Sequence, residues 1–336
     1  MIERHNHERH NHEVERKSIT ILKILRDAKE PVGARIMARE LTGHGVELSE
    51  RAVRYHLQLL DERGFTELVG RDGRRITARG LEELKNALVT DKLGVVQARI
   101  EDLAFRTTFD PVRKQGSVAV NISLFPQDQF EPALGAMRHA FQAGLCASSL
   151  IATARGNERL GELLVPEGKR ALATVCSVTV NAVLLKGGIP MNSLFGGILE
   201  LRGGKPLRFT ELISYSGSSL DPSEVFIRGK MTSVGQAACS GNGKVLANFR
   251  EFPASCFAQA QELIKRMRSA GLTEPLVVGH QGEPVCEVPV GWNRSGVVLK
   301  GGLNPVAAAV EAGFEADNDA MSGTLDFTAL RPFPGL

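Results

Sequence analysis

Two groups of residues in this 336-residue chain have types and spacings suited to chemistry, and the first is cationic. In SERAVRYHLQLLDERGF, residues 49–65, helical spacing places Arg51, Arg54, Tyr55 and Gln58 on one face and Val53, Leu57 and Leu60 on the other. Guanidinium groups presented this way can bond the N7 and O6 edge of guanine, and a tyrosine can meet a phosphate or a thymine methyl. Ser49 is an N-cap candidate that would set the helix N-terminus beside a phosphate. Arg71, Arg74 and Arg75 in GRDGRRIT continue the basic run and are expected to anchor phosphates. The outward face carries no acid between Arg51 and Gln58, and the segment from Arg51 to Arg79 holds seven arginines against four acids. Such a one-sided array asks for a polyanion. The alternative is a solvated face on a protein-binding module.

The second group is suited to a small anion. Lys186-Gly187-Gly188 and Lys300-Gly301-Gly302 set a cation beside paired glycines whose N–H groups can point at a carboxylate. Both are also what ordinary turns that need positive φ look like. Cys176 and Cys286 lie upstream of the two segments, as reactive thiols or as small buried residues. Asn181, Asn192 and Asn304 lie near the glycine pairs, as ligand contacts or as turn closers. YSGSSLDP, from Tyr215, is a hinge or a ligand loop. GxSxG, GxxxxGK[ST], GxGxxG and HExxH are all absent, so no enzyme, metal site or resident cofactor is expected. The rival reading is a metabolite-binding enzyme with a fused DNA-binding domain that regulates its own gene.

Composition bounds both ideas. A net charge of +3 leaves DNA binding to local clustering rather than to the field of the whole chain. A 43% hydrophobic content suffices for more than one core. Lys186 and paired glycines interrupt the most apolar stretch before it reaches the roughly 18 residues of a membrane span. Five cysteines without CxxC spacing and no charged-then-apolar leader point to a soluble protein of the reducing cytoplasm. The opening RHNHE repeat holds four of the eight histidines. It reads as a disordered tail over residues 1–14 without an assigned role, although histidine-rich tracts bind metals weakly.

The elements that must position these residues follow from periodicity. Ile19, Leu22, Leu25 and Ala28 predict a helix from about Glu15 to Glu30-Pro31, Ala34–Leu41 a second, and Glu50–Arg63 a third. Thr66–Val69 and Arg75–Ala78 flank an Asp-Gly turn. Three helices and a basic hairpin make a winged helix-turn-helix over residues 15–80, its third helix entering the major groove. Leu81, Leu84, Leu88, Val96, Ile100 and Leu103 continue as a helical connector over 81–116, either dimerising or packing on the next domain. Beyond it, VAVNISLFPQDQFEPALGAMRHAFQAGL from Val118 aligns without gaps to VLANFREFPASCFAQAQELIKRMRSAGL from Val245, an offset of 127 residues. The KGG segments recur in the same order. A tandem duplication is therefore expected over 117–330, with halves of about 117–220 and 221–330. Each half should run strand, helix, strand, then short β-prone pieces (Leu172–Val180, Gly197–Leu201, Val285–Val290 and Thr324–Phe327) in a mixed sheet, with a ligand in the cleft between halves. The fold class is α+β and multidomain: a winged helix followed by an internally duplicated α/β domain.

SERAVRYHL and GRDGRRIT, joined to VCSVTVNAVLLKGGIPMNSLFGG and GSSLDPSEVFI, resemble the NrpR family of nitrogen-regulation repressors over nearly the whole chain after the histidine tail. The resemblance implies a homodimeric or higher-order repressor with one effector domain per chain. It implies a palindromic operator near nitrogen-assimilation genes and release by 2-oxoglutarate, a dicarboxylate that the two KGG segments would share.

Overall fold

The computed structural model describes residues 17–28, 30–43, 46–70, 72–85 and 94–335. The histidine tail, Leu88 and Arg71 therefore lie outside the described residues. The chain divides after Lys92 into two units, inside the expected connector, whose first helix belongs to one unit and whose second belongs to the other.

In the first unit, helices α1 (residues 17–27), α2 (Ala34–Gly43) and α3 (Glu50–Glu62) are followed by the hairpin β1 (Thr66–Val69) and β2 (Gly73–Ile76) and by α4 (Ala78–Lys85). Ile19, Leu22, Leu25, Met37, Leu41, Val53, Leu57 and Leu60 form its core, so the apolar stripe read in the sequence faces inward. The Ser49 hydroxyl accepts from the Ala52 amide at 3.3 Å and caps α3. Val32 adds a one-residue bridge to Arg74, which makes Gly73 obligatory. Its φ is +131°, and a Cβ there would lie 2.5 Å from the Val32 carbonyl oxygen. The Asp61 carboxylate ties α3 to the hairpin by accepting from the Thr66 hydroxyl at 2.5 Å and from Arg74 Nε at 2.7 Å.

His56 occupies the inner face of α3, buried, with Nδ1 unpartnered. Burial, reinforced by Lys17, pushes its imidazole below the usual 6.5. The folded state thus binds fewer protons than the unfolded state, so stability is full above pH 6.5 and declines as pH falls below it. Thermal melting between pH 7.5 and 5 is expected to show a falling transition for this unit, with a smaller slope in His56→Gln.

The second unit is built from two five-stranded sheets. After α5 (Val95–Arg106), the first repeat contributes β3 (Ser117–Pro126), α6 (Phe130–Gln142) and β4 (Leu150–Arg155), the short pair β5 (Arg159–Leu160) and β6 (Leu163–Leu164), and β7 (Lys169–Val175). It continues with α7 (Val178–Lys186), β8 (Asn192–Arg202) and β9 (Lys205–Ser214). Between the repeats lie α8 (Pro222–Arg228) and α9 (Val234–Ser240). The second contributes β10 (Gly243–Pro253), α10 (Phe257–Ser269), β11 (Val277–Gln281), β12 (Arg294–Lys300), α11 (Asn304–Glu311), β13 (Asp317–Asp326) and β14 (Arg331–Pro332).

The strand orders are β13-β3-β7-β4-β14 and β11-β12-β10-β8-β9. β7 lies between β3 and β4 and is antiparallel to both, as β12 is between β10 and β11, so each repeat is a split β-α-β unit. The repeats also exchange strands. β8 of the first pairs with β10 of the second, and β13 of the second pairs with β3 of the first. Every pairing is antiparallel, in place of the mixed sheet expected for each half, because β7 and β12 insert between the two parallel strands of their β-α-β units and keep them from pairing with each other.

Two further departures bear on function. The stretch read as a strand over Leu172–Val180 ends as β7 at Val175 and continues as α7, and Asn304 opens α11. Both helices are buried over nearly their whole length, so no amphipathic period marks them. Val285–Val290 forms only a bridge between Val285 and Val288.

Candidate functional site

Arg51, Arg54, Tyr55 and Gln58 all project from the exposed face of α3, Tyr55 with 59% of its surface accessible. The face is less purely basic than expected, since Glu50 and Glu62 bracket it one turn away. Arg54 pairs with Glu50, and Gln58 donates to Glu62 at 3.1 Å. Arg51 forms no ion pair among the described residues. Arg75 is exposed on the hairpin. Arg74 is not a free anchor for phosphate: its guanidinium is largely buried against Asp61. The α3 N-terminus, Arg51, Arg54 and Arg75 leave a surface able to meet a nucleic-acid backbone and read base edges.

In the second unit the two repeats meet at a cavity lined by Asn121, Ser177, Tyr215, Asn248, Arg250 and the Gly301-Gly302 backbone. Asn121 of β3 and Asn248 of β10 stand 127 positions apart in the duplication. The Ser177 hydroxyl donates to Asn248 Oδ1 at 2.6 Å, while Gly302 sits so close to Asn121 that a Cβ would lie 2.6 Å from its side-chain nitrogen. Asn121 Oδ1 accepts from the Met321 amide at 3.1 Å. The first turns of α7 and α11 face this point, and neither helix has a side-chain N-cap bond. Their N–H groups supply partial positive charge.

Arg250 dominates the electrostatics. It is 1% exposed, and no carboxylate lies within salt-bridge distance of it among the described residues. Nη2 donates to the Ser177 hydroxyl at 3.2 Å and to Asn248 Oδ1 at 3.4 Å, while Nε and Nη1 have no partner. An unpaired buried cation is costly unless an anion joins it. Burial also pushes the Tyr215 hydroxyl upward, with Arg250 as its nearest opposing influence, and raises the Asp221 carboxyl. Asp221 caps α8 by accepting from the Ser223 amide at 2.8 Å. A buried guanidinium with free N–H groups offers an anion charge-assisted hydrogen bonds. The cavity itself is small, about 20 Å³, room for one or two waters.

Of the residues expected at an anion site, Cys176, Gly301 and Gly302 line this cavity. The two KGG segments are not equivalent. Lys300-Gly301-Gly302 joins β12 to the start of α11, whereas Lys186-Gly187-Gly188 ends α7, where Gly188 takes φ +81°. The counterpart of Gly301-Gly302 is Cys176-Ser177. Lys186 Nζ instead bonds the carbonyls of Phe105 and Thr107, and Gln259 donates to the Gly187 carbonyl at 2.7 Å. Lys300 is part-buried and held below its ordinary value by that burial. Asn181 is buried and donates to Ser193 at 3.1 Å, and Asn192 is exposed. Cys286, at φ +49°, stands in a half-buried turn. Asn304 is a structural bridge, accepting from the Leu246 amide and donating to the Leu145 and Leu246 carbonyls. Arg250 was not anticipated. Its signal is a charged pair, Arg250-Glu251, inside VLANFREFP at positions where the first repeat has Ser123 and Leu124.

A winged helix in one unit and a duplicated, strand-exchanged domain around a buried cation in the other define a two-domain winged-helix protein. The NrpR regulatory domains NRD1 and 2 match residues 93–332, and the winged-helix domain of ribonuclease R matches residues 19–84. The chain belongs to the NrpR family. It is 39% identical over 95% of its length to the global nitrogen regulator NrpRI of Methanosarcina mazei, covering 98% of that protein. It is 33% identical to the global nitrogen regulator NrpR of Methanocaldococcus jannaschii over 95% of its length, spanning 55% of that longer relative. A crystal structure of a nitrogen repressor-like protein from Methanococcus jannaschii, 24% identical, shares the fold over 72% of this chain and 99% of its own, with a TM-score of 0.62. No helix among the described residues is long and apolar enough to cross a membrane.

Proposed function

We propose that this protein is a cytoplasmic, homo-oligomeric transcriptional repressor of nitrogen-assimilation genes that holds operator DNA through α3 and the wing and releases it when 2-oxoglutarate occupies the Arg250 cavity. The single observation that carries the ligand half is a fully buried guanidinium with two unpartnered nitrogens at the junction of the repeats. Those nitrogens lie on different edges of the guanidinium, and one carboxylate of the effector would take one of them in a charge-assisted bond. The amides at the starts of α7 and α11 and the amide groups of Asn121 and Asn248 suit the 2-oxo group and the second carboxylate. The DNA half is supported by the exposed arginines of α3, and the regulated genes by the names of the relatives.

A binding role rather than catalysis fits the only thiol on the cavity. Burial pushes Cys176 up to about 11, which keeps it protonated and poorly nucleophilic near neutral pH. The test is a gel shift with the promoter of a nitrogen-assimilation gene. A retarded band that 2-oxoglutarate dissolves in a dose-dependent way is expected. No band, or a band indifferent to the dicarboxylate, would overturn the proposal.

A further inference from the structure

The cavity is far smaller than a five-carbon dicarboxylate, so one of its walls must move for the ligand to enter. The strands β3 and β10 are interior strands of their sheets, each paired on both sides, and α7 and α11 are buried on nearly all sides. Helix α5 differs. Its inner face, Val96, Ile100, Leu103 and Ala104, lies on Cys176, Val178, Tyr215 and Met321, four of the residues that line the cavity, and Ile100 itself completes the lining. Its outer face is open to solvent, with Phe105 76% exposed.

Few polar ties hold α5 down. The Val96 amide donates to the Ser218 carbonyl at 3.4 Å. Arg99 pairs with Asp319 of β13 at 3.4 Å, and Lys186 holds the carbonyls of Phe105 and Thr107 at the far end. Arg106 reaches Glu162 at 3.4 Å. The arginine pairs are exposed and therefore weak. The helix starts at Gly94, in the left-handed region at φ +75° and with no side-chain cap, a residue that tolerates a change of direction. It contains neither glycine nor proline and can move as one body. Gly94 is the second residue beyond the boundary between the units after Lys92.

We propose that α5 is the lid of the Arg250 cavity and the element through which its occupancy reaches the winged helix, a reading that rests on that cavity being the effector site. Closed, α5 seals the buried cation; displaced, it admits the dicarboxylate and shifts the chain leading to the DNA-binding unit. The ties at Arg99 and Lys186 favour the closed state, so loosening them removes part of the opening cost from ligand binding and, by linkage, weakens the operator-bound form.

The experiment uses the full chain. Amide hydrogen exchange over residues 95–106 is measured with and without 2-oxoglutarate, and 2-oxoglutarate affinity is measured by calorimetry for wild type, Arg99→Ala, Lys186→Met and the double variant. Faster exchange over 95–106 on ligand addition is expected, with affinity roughly 3- to 10-fold tighter in the double variant and operator binding weaker by a similar factor. A helix whose role is only structural would bind ligand less well when loosened. Unchanged exchange in the wild type with ligand bound overturns the lid, as does an unchanged or weakened affinity in the double variant. Arg250→Met separates the two readings. If it binds 2-oxoglutarate normally, the cavity assignment fails and the lid with it; if it loses binding while exchange over 95–106 in wild type ignores the ligand, the lid alone falls.

Discussion

Replacing Arg250 by methionine is expected to raise the stability of the protein while removing its response to 2-oxoglutarate. The two effects share a cause. A guanidinium that is 1% exposed with Nε and Nη1 unpartnered is a standing cost to the empty fold. Replacing even a buried ion pair by apolar side chains of similar volume is often neutral or stabilising by about 1 to 4 kcal/mol, and a buried cation without a carboxylate partner has less to lose. The same substitution deletes the charged donor that would meet a carboxylate, a loss of about 2 to 5 kcal/mol in affinity, or roughly 30- to several-thousand-fold. Thermal melting with and without ligand reads both: a higher transition that no longer rises with 2-oxoglutarate. A lower transition in Arg250→Met would mean that the arginine is a structural strut, and the ligand reading would lose its main support.

Arg51→Ala is expected to weaken operator binding by about 1 to 3 kcal/mol, roughly 5- to 150-fold, and to weaken random-sequence binding less. Arg51 is singled out because its guanidinium forms no ion pair among the described residues, whereas Arg54 already answers Glu50 and should show a smaller loss. The melting temperature of Arg51→Ala should match wild type, since the side chain is exposed. Arg74→Ala provides the contrast: it removes the bond to Asp61 that ties the wing to α3, and its first effect should be on stability. Fluorescence anisotropy with operator and scrambled duplexes, at one salt concentration, checks the ranking. An Arg51→Ala protein that binds operator like wild type would remove α3 from the contact surface.

How much was legible depended on whether a residue's role left a periodic trace. The α3 face was readable because a half-buried helix shows its period, and Ser49, Val53, Leu57 and Leu60 do what their spacing implies. The duplication was readable from side-chain identities, and Asn121 and Asn248 meet at the cavity as members of one repeat register. Helices α7 and α11 were not, because a helix buried on every side carries no polar stripe and VTVNAVLLK resembles a core strand. That error misaligned the second anion site. With Leu172–Val180 read as one β-prone run, the two KGG segments matched each other by letter, although one ends a helix and the other precedes one. Arg74 was misjudged for a different reason: its partner Asp61 lies 13 positions away, across a turn whose register the sequence does not print. Arg250 went unseen because its burial follows from strand exchange, which no local pattern announces.

That exchange has a consequence for how the second unit comes into being. A chain cut between β9 and β10 would yield two pieces, each holding three adjacent strands of one sheet and two strands of the other, and neither able to complete a layer alone. They resemble two clasped hands sharing fingers. Disruption of either piece therefore exposes the apolar faces of both, so the unit should be gained and lost as one cooperative block. The buried cation sits where the fingers cross, at a spot that exists only once both pieces are in place.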